Sequence, residues 1–421
     1  MVKRDRQHFE TTLLDNGISL HTYQDAFPIS CMEVQFPVGS GHAIPENGLL
    51  PGSPHFLEHC QLIRSQDFPE AYALDRTLGM KAGNSNATTY AKKTTYWIDT
   101  PAAEQDFGID LLVNRVFRPI FQDADLPIQQ GVVANERDQN RFYPANTRAG
   151  QYYYKEFIYD VLYPLEQLFG SDADLAAIDA EQLQAMHRRI SHSNQIVALA
   201  VGPGPFDRFR DQLAALPTQP LALQSRIEPV RWTRREHHQV FFDSVSQPRL
   251  ETTWIHDRPS WEDYCALNFF LNLLVNTTQG PLYREFREEK GWTYGLDSDC
   301  DFREDNLVLN LSFPVNTVAQ AEEIRACLDD RIQKAASDQK LVEDEITRQL
   351  GSQVYSFQTA GSIVTDASQD LINHGRIYTE AEHTKAVRNM ADPEYRKSLL
   401  RHYFDPTERG SVLFLPERRG A

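Results

Sequence analysis

At 421 residues the chain exceeds what one hydrophobic core organises, and 41% hydrophobic against 24% charged residues gives it apolar mass for two soluble domains. No apolar run approaches the roughly 20 residues of a membrane span, and the start MVKRDRQHFETTLLDNG has no apolar segment behind its basic residues, so no membrane partner and a cytoplasmic location are expected. A formal charge of −17 excludes nucleic acid as a partner, because phosphates would be repelled; it leaves open either a basic peptide ligand or acidity spread out for solubility.

The first elements follow from turn chemistry and alternation. TLLDNGISLHTY sets Asp15, Asn16 and Gly17 between short apolar alternations and predicts a hairpin or strand entry. CMEVQFPVG puts Met32, Val34, Phe36 and Val38 on one face of a strand, after which Pro45, Gly48, Pro51 and Pro54 mark a loop. Pro54 suits a first helical turn, so HFLEHCQLI opens a helix. TTYAKKTTYWIDT reads as strand and DFGIDLLVNRVF as helix. DLPIQQGVVANERDQNRF is a further helix, with Asp125 as cap, Pro127 in the first turn and Ile128, Val132 and Val133 on its buried stripe; Gly131 weakens it by about 1 kcal/mol relative to alanine. NQIVALAVGPGP closes this half as an apolar strand.

Residues 204–236 carry Pro205, Pro217, Pro220 and Pro229 with few periodic segments and read as a linker between domains at 1–203 and 237–421. The order of elements then repeats: strand-like QVFFDSVSQPRLETTWI, helix-like YCALNFFLNLLVN, strand-like WTYGLDSD and NLVLNLSF, helical stretches over about 316–373, and a last strand SVLFLP. The repetition predicts an internally duplicated α+β architecture. Five scattered cysteines without a Cys-x-x-Cys pair fit a reducing compartment and exclude a thiolate zinc knuckle.

SPHFLEHC carries the chemistry. On a helix His55 and His59 sit one above the other and can converge on one ion, for which zinc suits two imidazoles and an oxygen. Glu58 lies one residue off that stripe, close enough to hold a water without ligating the ion, the place of a general base. The competing reading is two histidines that share a helix face by chance, since short motifs recur. His187, His192, His237 and His238 have no ligand spacing.

His-x-x-Glu-His is the inverzincin signature, and the sequence resembles the pitrilysin family of zinc metallopeptidases. By that resemblance the third ligand is a glutamate well downstream, which maps onto Glu136 inside GVVANE, and one zinc is held per chain. GNSNATTYAKKTTYW resembles the family's substrate-pairing strand, with Asn86 and Ala87 in its motif. LYREFREEKGWTYG is similar to the segment whose arginine and tyrosine, here Arg287 and Tyr294, help bind substrate and stabilise the transition state. An exposed ion-paired helix is the other reading of Arg287, and a strand aromatic in a core that of Tyr294. Where the family often has a glutamate two turns before its third ligand, this chain has Gln129, which keeps hydrogen bonding and loses charge.

The resemblance implies two homologous domains, each a mainly antiparallel sheet with helices packed on it, forming half of a peptidase chamber. It implies a zinc endopeptidase with Glu58 moving the proton, and unfolded peptides, leaders or presequences as substrates paired along a strand edge. A homodimer is expected, and a heterodimer with a related subunit is left open. Two other readings stand beside it: a noncatalytic scaffold of the same fold, and a metal-dependent hydrolase of small molecules.

Overall fold

In the computed structural model, which describes residues 9–142, 164–226, 232, 236–242, 245–275, 279–303 and 306–416, the turn around Gly17 joins antiparallel strands β1 (Phe9–Leu13) and β2 (Ser19–Gln24). Gly17 has a φ of 88°, a conformation that glycine adopts without a Cβ clash. Strands β3 (Ile29–Phe36), β4 (Asn84–Thr89), β5 (Thr94–Pro101) and β6 (Val197–Gly202) complete a sheet in the order β1-β2-β6-β3-β5-β4. Only β2 and β6 run parallel within it. TTYAKKTTYWIDT, expected as one strand, is the end of β4, a tight turn in which the Tyr90 amide donates to the Lys93 carbonyl at 2.8 Å, and β5.

Helices α1 (Ser53–Gln61), α2 (Ala73–Met80), α3 (Gln105–Phe117), α4 (Leu126–Phe142), α5 (Pro164–Phe169), α6 (Asp172–Ala176), α7 (Ala180–Ser191) and α8 (Asp207–Ala214) accompany this sheet. Met32, Val34 and Phe36 from β3 meet Phe56 of α1 and Leu112 and Val116 of α3 in one core. On α4 the buried face is Leu126, Gln129 and Val133, whereas Ile128 and Val132, expected inside, are exposed. The stripe is therefore turned so that Gln129 and Glu136, two turns apart, share a side.

The domain boundaries differ from expectation in two places. The first unit runs on through residue 226, because Phe206, Phe209 and Leu213, within the expected linker, are buried in its core. It also takes in Tyr355–Thr379 from the second half of the sequence. Helix 360–374 lays Ala360, Ile363 and Val364 against Tyr23, Cys31 and Val201, and Ala367 and Leu371 against Leu199. These sheet residues alternate with those facing the other core, so the central strands are covered on both sides.

The second unit repeats the plan. Strands β7 (His238–Phe242), β8 (Arg249–Asp257), β9 (Asp297–Arg303), β10 (Asn306–Pro314) and β11 (Gly410–Pro416) pair in the order β7-β11-β8-β10-β9. Strand for strand this is β2-β6-β3-β5-β4, down to the parallel pairing of β7 with β11. Helices α9 (Trp261–Val275), α10 (Val318–Ser337), α11 (Gln339–Ser356), α13 (Glu380–Asn389) and α14 (Pro393–Tyr403) belong to it, while the intervening helix, α12 (Ala360–His374), is the one that leaves for the first unit. WTYG lies in the loop before β9 and not in a strand. Among the described residues no helix is long and apolar enough to cross a membrane.

Candidate metal centre

Helix α1 is fixed at both ends. At its start Gly52 has a φ of 82°, and a Cβ there would press on the Phe169 carbonyl at 2.6 Å, so the end of α5 closes directly on the motif helix. At its far end Gln61 accepts from the Tyr96 hydroxyl at 3.0 Å and donates to the Val116 carbonyl at 2.9 Å, tying α1 to β5 and α3. Helix α4 is held beside it by the Arg64–Asp125 ion pair at 2.7 Å before its first turn, and by Arg137, which donates to the Gly170 carbonyl at 3.2 Å and to Asp172 at 2.8 Å.

These anchors bring His55, His59 and Glu136 together. The two Nε2 atoms are 3.2 Å apart, and Glu136 Oε2 lies 3.2 Å from His59 Nε2 and 3.5 Å from His55 Nε2. A tetrahedral zinc with bonds of about 2.0–2.1 Å has ligand edges of about 3.3–3.4 Å. The triangle has that size. With the protons on Nδ1, three sets of lone pairs face one another, an arrangement that a cation relieves. His55 Nδ1 is buried with no hydrogen-bond partner among the described residues, which leaves Nε2 as the ring's interacting atom. The residues fit a zinc ion.

Burial pulls the His55 imidazole down to about 4, helped by the neighbouring His59 and opposed by Glu136, so it stands neutral and ready to ligate. Burial alone would raise Glu136, but the His59 hydrogen bond and the two imidazoles leave it below its ordinary range and ionised. Glu58 is buried beside them and accepts a short hydrogen bond from the Thr89 hydroxyl at the end of β4. Burial pushes its carboxyl up to about 7, with the Thr89 bond and His59 opposing and Glu136 adding. A carboxyl titrating there can take up and give back a proton.

The other expected residues fall in different places. Gln129 is buried on α4 and donates to the Tyr72 hydroxyl at 2.8 Å. Asn86 and Ala87 lie on β4, an edge strand that pairs only with β5 among the described residues; Asn86 is exposed, and its Oδ1 accepts from the Ala87 amide at 2.9 Å. Arg287 and Tyr294 belong to the second unit, where the Arg287 guanidinium lies 4.8 Å over the Tyr294 ring and donates to the Tyr283 hydroxyl. Tyr294 is 88% exposed and is no core aromatic. Thr89, Tyr72 and Arg137 were not anticipated; no local pattern marks them, since each acts through a partner far away in sequence.

A duplicated α+β fold with an inverted zinc-peptidase motif on the first α-helix of one unit defines an inverzincin-type protein. The family model described as insulinase (peptidase family M16) matches residues 22–155, and the one described as peptidase M16 inactive domain matches residues 177–362. The chain belongs to peptidase family M16, the pitrilysin family. It is 23% identical over 393 residues to an uncharacterized zinc protease of Mycobacterium tuberculosis, covering 87% of this chain and 85% of that protein. Protease 3 of Escherichia coli is 25% identical over 118 residues, a match that spans only 12% of that protein's length. A protease from Helicobacter pylori has the same fold, with a TM-score of 0.78 at 18% identity over 97% of this chain and 99% of that one. Crystalline pitrilysin gives a TM-score of 0.71 at 17% identity, with 99% of this chain covering 45% of it.

Proposed function

We propose that the chain is a zinc-dependent endopeptidase that hydrolyses unstructured peptides, leader or presequence segments among them. The observation that carries this reading is the His55–His59–Glu136 triangle of zinc-ligand dimensions with a non-ligating carboxylate, Glu58, alongside. His55, His59 and Glu136 would hold the ion, which would supply Lewis acidity that makes water nucleophilic near neutral pH. Glu58 takes the proton from the attacking water and passes it to the leaving amine, oriented by the Thr89 hydroxyl. The edge of β4 at Asn86 and Ala87, which among the described residues pairs only with β5, accepts an extended peptide backbone as an added strand, a mode with little side-chain selectivity that favours unfolded substrates.

Arg287 and Tyr294 are assigned the charge that develops on the scissile oxygen, with Tyr294 as hydroxyl donor. Because one chain carries both the metal motif and this pair, the assembly proposed is a homodimer. A relative from Eremothecium gossypii, 24% identical over 277 residues, is a mitochondrial presequence protease, which supports leader-type substrates.

Zinc content together with cleavage of an unstructured peptide library tests the reading. One zinc per chain with cleavage that is lost in Glu58→Gln is the expected result. Zinc without cleavage would instead make the chain a noncatalytic scaffold, and hydrolysis confined to small esters or amides would make it a hydrolase of another class.

A further inference from the structure

The β4–β5 turn is held from two directions. On one side the amides of Ser40 and Gly41 donate to the carbonyls of Tyr90 and Ala91 at 2.9 and 2.8 Å, an approach so close that a Cβ on Gly39 would fall on the Tyr90 carbonyl. On the other side stands α12, which the chain sends back from its second half. Lys93 Nζ, in the turn, donates to the Leu371 carbonyl in the last turn of α12 at 2.8 Å and to Gln35 Oε1 at 3.1 Å. The ammonium thus sits at the negative end of the helix dipole. Gln35 donates in turn to Glu33 at 2.8 Å and to the Ser368 hydroxyl at 3.0 Å, and Ser368 donates to Glu33 at 2.6 Å.

Glu33 and Gln35 occupy the face of β3 opposite to Val34 and Phe36, where burial leaves their polar groups in need of partners. With these bonds made, the network is connected and directional, and it specifies where α12 sits more sharply than the apolar contacts beside it. The same turn carries Thr89, which pairs across the hairpin with Thr94 and whose hydroxyl grips Glu58.

We infer that α12 is a positioning element for Glu58: through Lys93 it fixes the β4–β5 turn, and through the turn it fixes the Thr89 hydroxyl that orients the carboxylate. Lys93 is a positioning residue in this scheme and touches no reacting atom. The inference deepens the peptidase reading and rests on it for its catalytic consequence. Its structural half, that Lys93 and α12 immobilise the turn, stands apart from that reading.

The test compares Lys93→Met and Lys93→Arg with the parental full-length protein, loaded with zinc, by amide hydrogen exchange over residues 84–94 and by steady-state cleavage of an unstructured peptide. In Lys93→Met, exchange in this segment rises by about tenfold or more while strands β2 and β6 stay protected. With zinc content and KM unchanged, kcat falls by about 10- to 100-fold, the cost of a misplaced catalytic group. Lys93→Arg, which keeps charge and donors, recovers both. If Lys93→Met does not fold, Lys93→Gln, which retains a donor on a shorter stem, takes its place.

Parental exchange in the variant overturns the inference whatever the kinetics. Faster exchange at parental kcat overturns the link from the turn to Glu58. Should the parental protein cleave no peptide, the peptidase reading falls, and faster exchange in Lys93→Met still supports α12 as the element that holds the turn.

Discussion

Glu58 and His59 are neighbours in sequence with different tasks, and the helix separates them: His59 turns its ring to His55 and Glu136, while Glu58 turns away to Thr89. Replacing Glu58 by glutamine keeps the shape and removes the proton acceptor. Glu58→Gln should therefore keep one zinc per chain by elemental analysis and lose turnover by about 10²- to 10⁴-fold. Zinc lost to the same extent as in His55→Ala would make Glu58 a ligand. The buried carboxyl has a second consequence in metal-free protein. Held up to about 7 in the fold against an ordinary 4.5, it favours the folded state below pH 4.5, and that contribution drains away as pH rises to 7. Relative to the parental chain, metal-free Glu58→Gln should gain stability across that window by up to about 3 kcal/mol, measured as the difference between urea melts at pH 4.5 and 7.5. A flat difference would mean that the carboxyl is hydrated in the folded chain.

At the scale of elements, the third ligand depends on how α4 is set against α1. Arg137 follows Glu136 directly and binds the Gly170 carbonyl, and Gly170 is packed on Pro51 at the entry to α1. The two ligand-bearing helices are thus gauged against one loop. Arg137→Ala should weaken zinc binding by about 10- to 100-fold in competition with a chelator, as partners behind the ligands do, whereas Asp172→Ala, whose carboxylate is largely exposed, should leave it near parental. Equal affinities in the two variants would show that α4 is set by its apolar face alone. Short-range signals made α1 legible in the sequence: a proline in the first turn, and histidines one helical turn apart. Long-range ones were missed. The alternation of β3 gave the face toward Phe56 and left the face of Glu33 and Gln35 unassigned, because the helix that covers it arrives more than 300 residues later. On α4 the expected stripe holds at Val133, which is buried, and fails at Ile128 and Val132, which are exposed; Gln129 takes an interior place beside Val133 because its amide is satisfied on the Tyr72 hydroxyl.

The whole molecule repeats one strand order twice, yet the chemistry is not repeated. The second unit has no His-x-x-Glu-His, and the segment that leads into its edge strand β9, the counterpart of β4, carries Arg287 and Tyr294 instead. A tyrosine exposed over 88% of its surface is poorly explained by packing, because its ring gains little from burial; its one described ring partner is the Arg287 guanidinium, a contact worth about 0.5–1 kcal/mol at an exposed site. Removing the hydroxyl while keeping the ring separates a chemical from a structural role. Tyr294→Phe should leave the melting temperature and zinc content parental, since a surface change away from a buried network stays within about 0.5 kcal/mol. If the hydroxyl donates to the developing oxyanion, kcat and kcat/KM fall together by about 10- to 1,000-fold, because a bond made only in the transition state is then lost. A rise in KM at parental kcat would assign Tyr294 to holding the peptide, and parental kinetics in both Tyr294→Phe and Arg287→Ala would remove the second unit from the chemistry altogether.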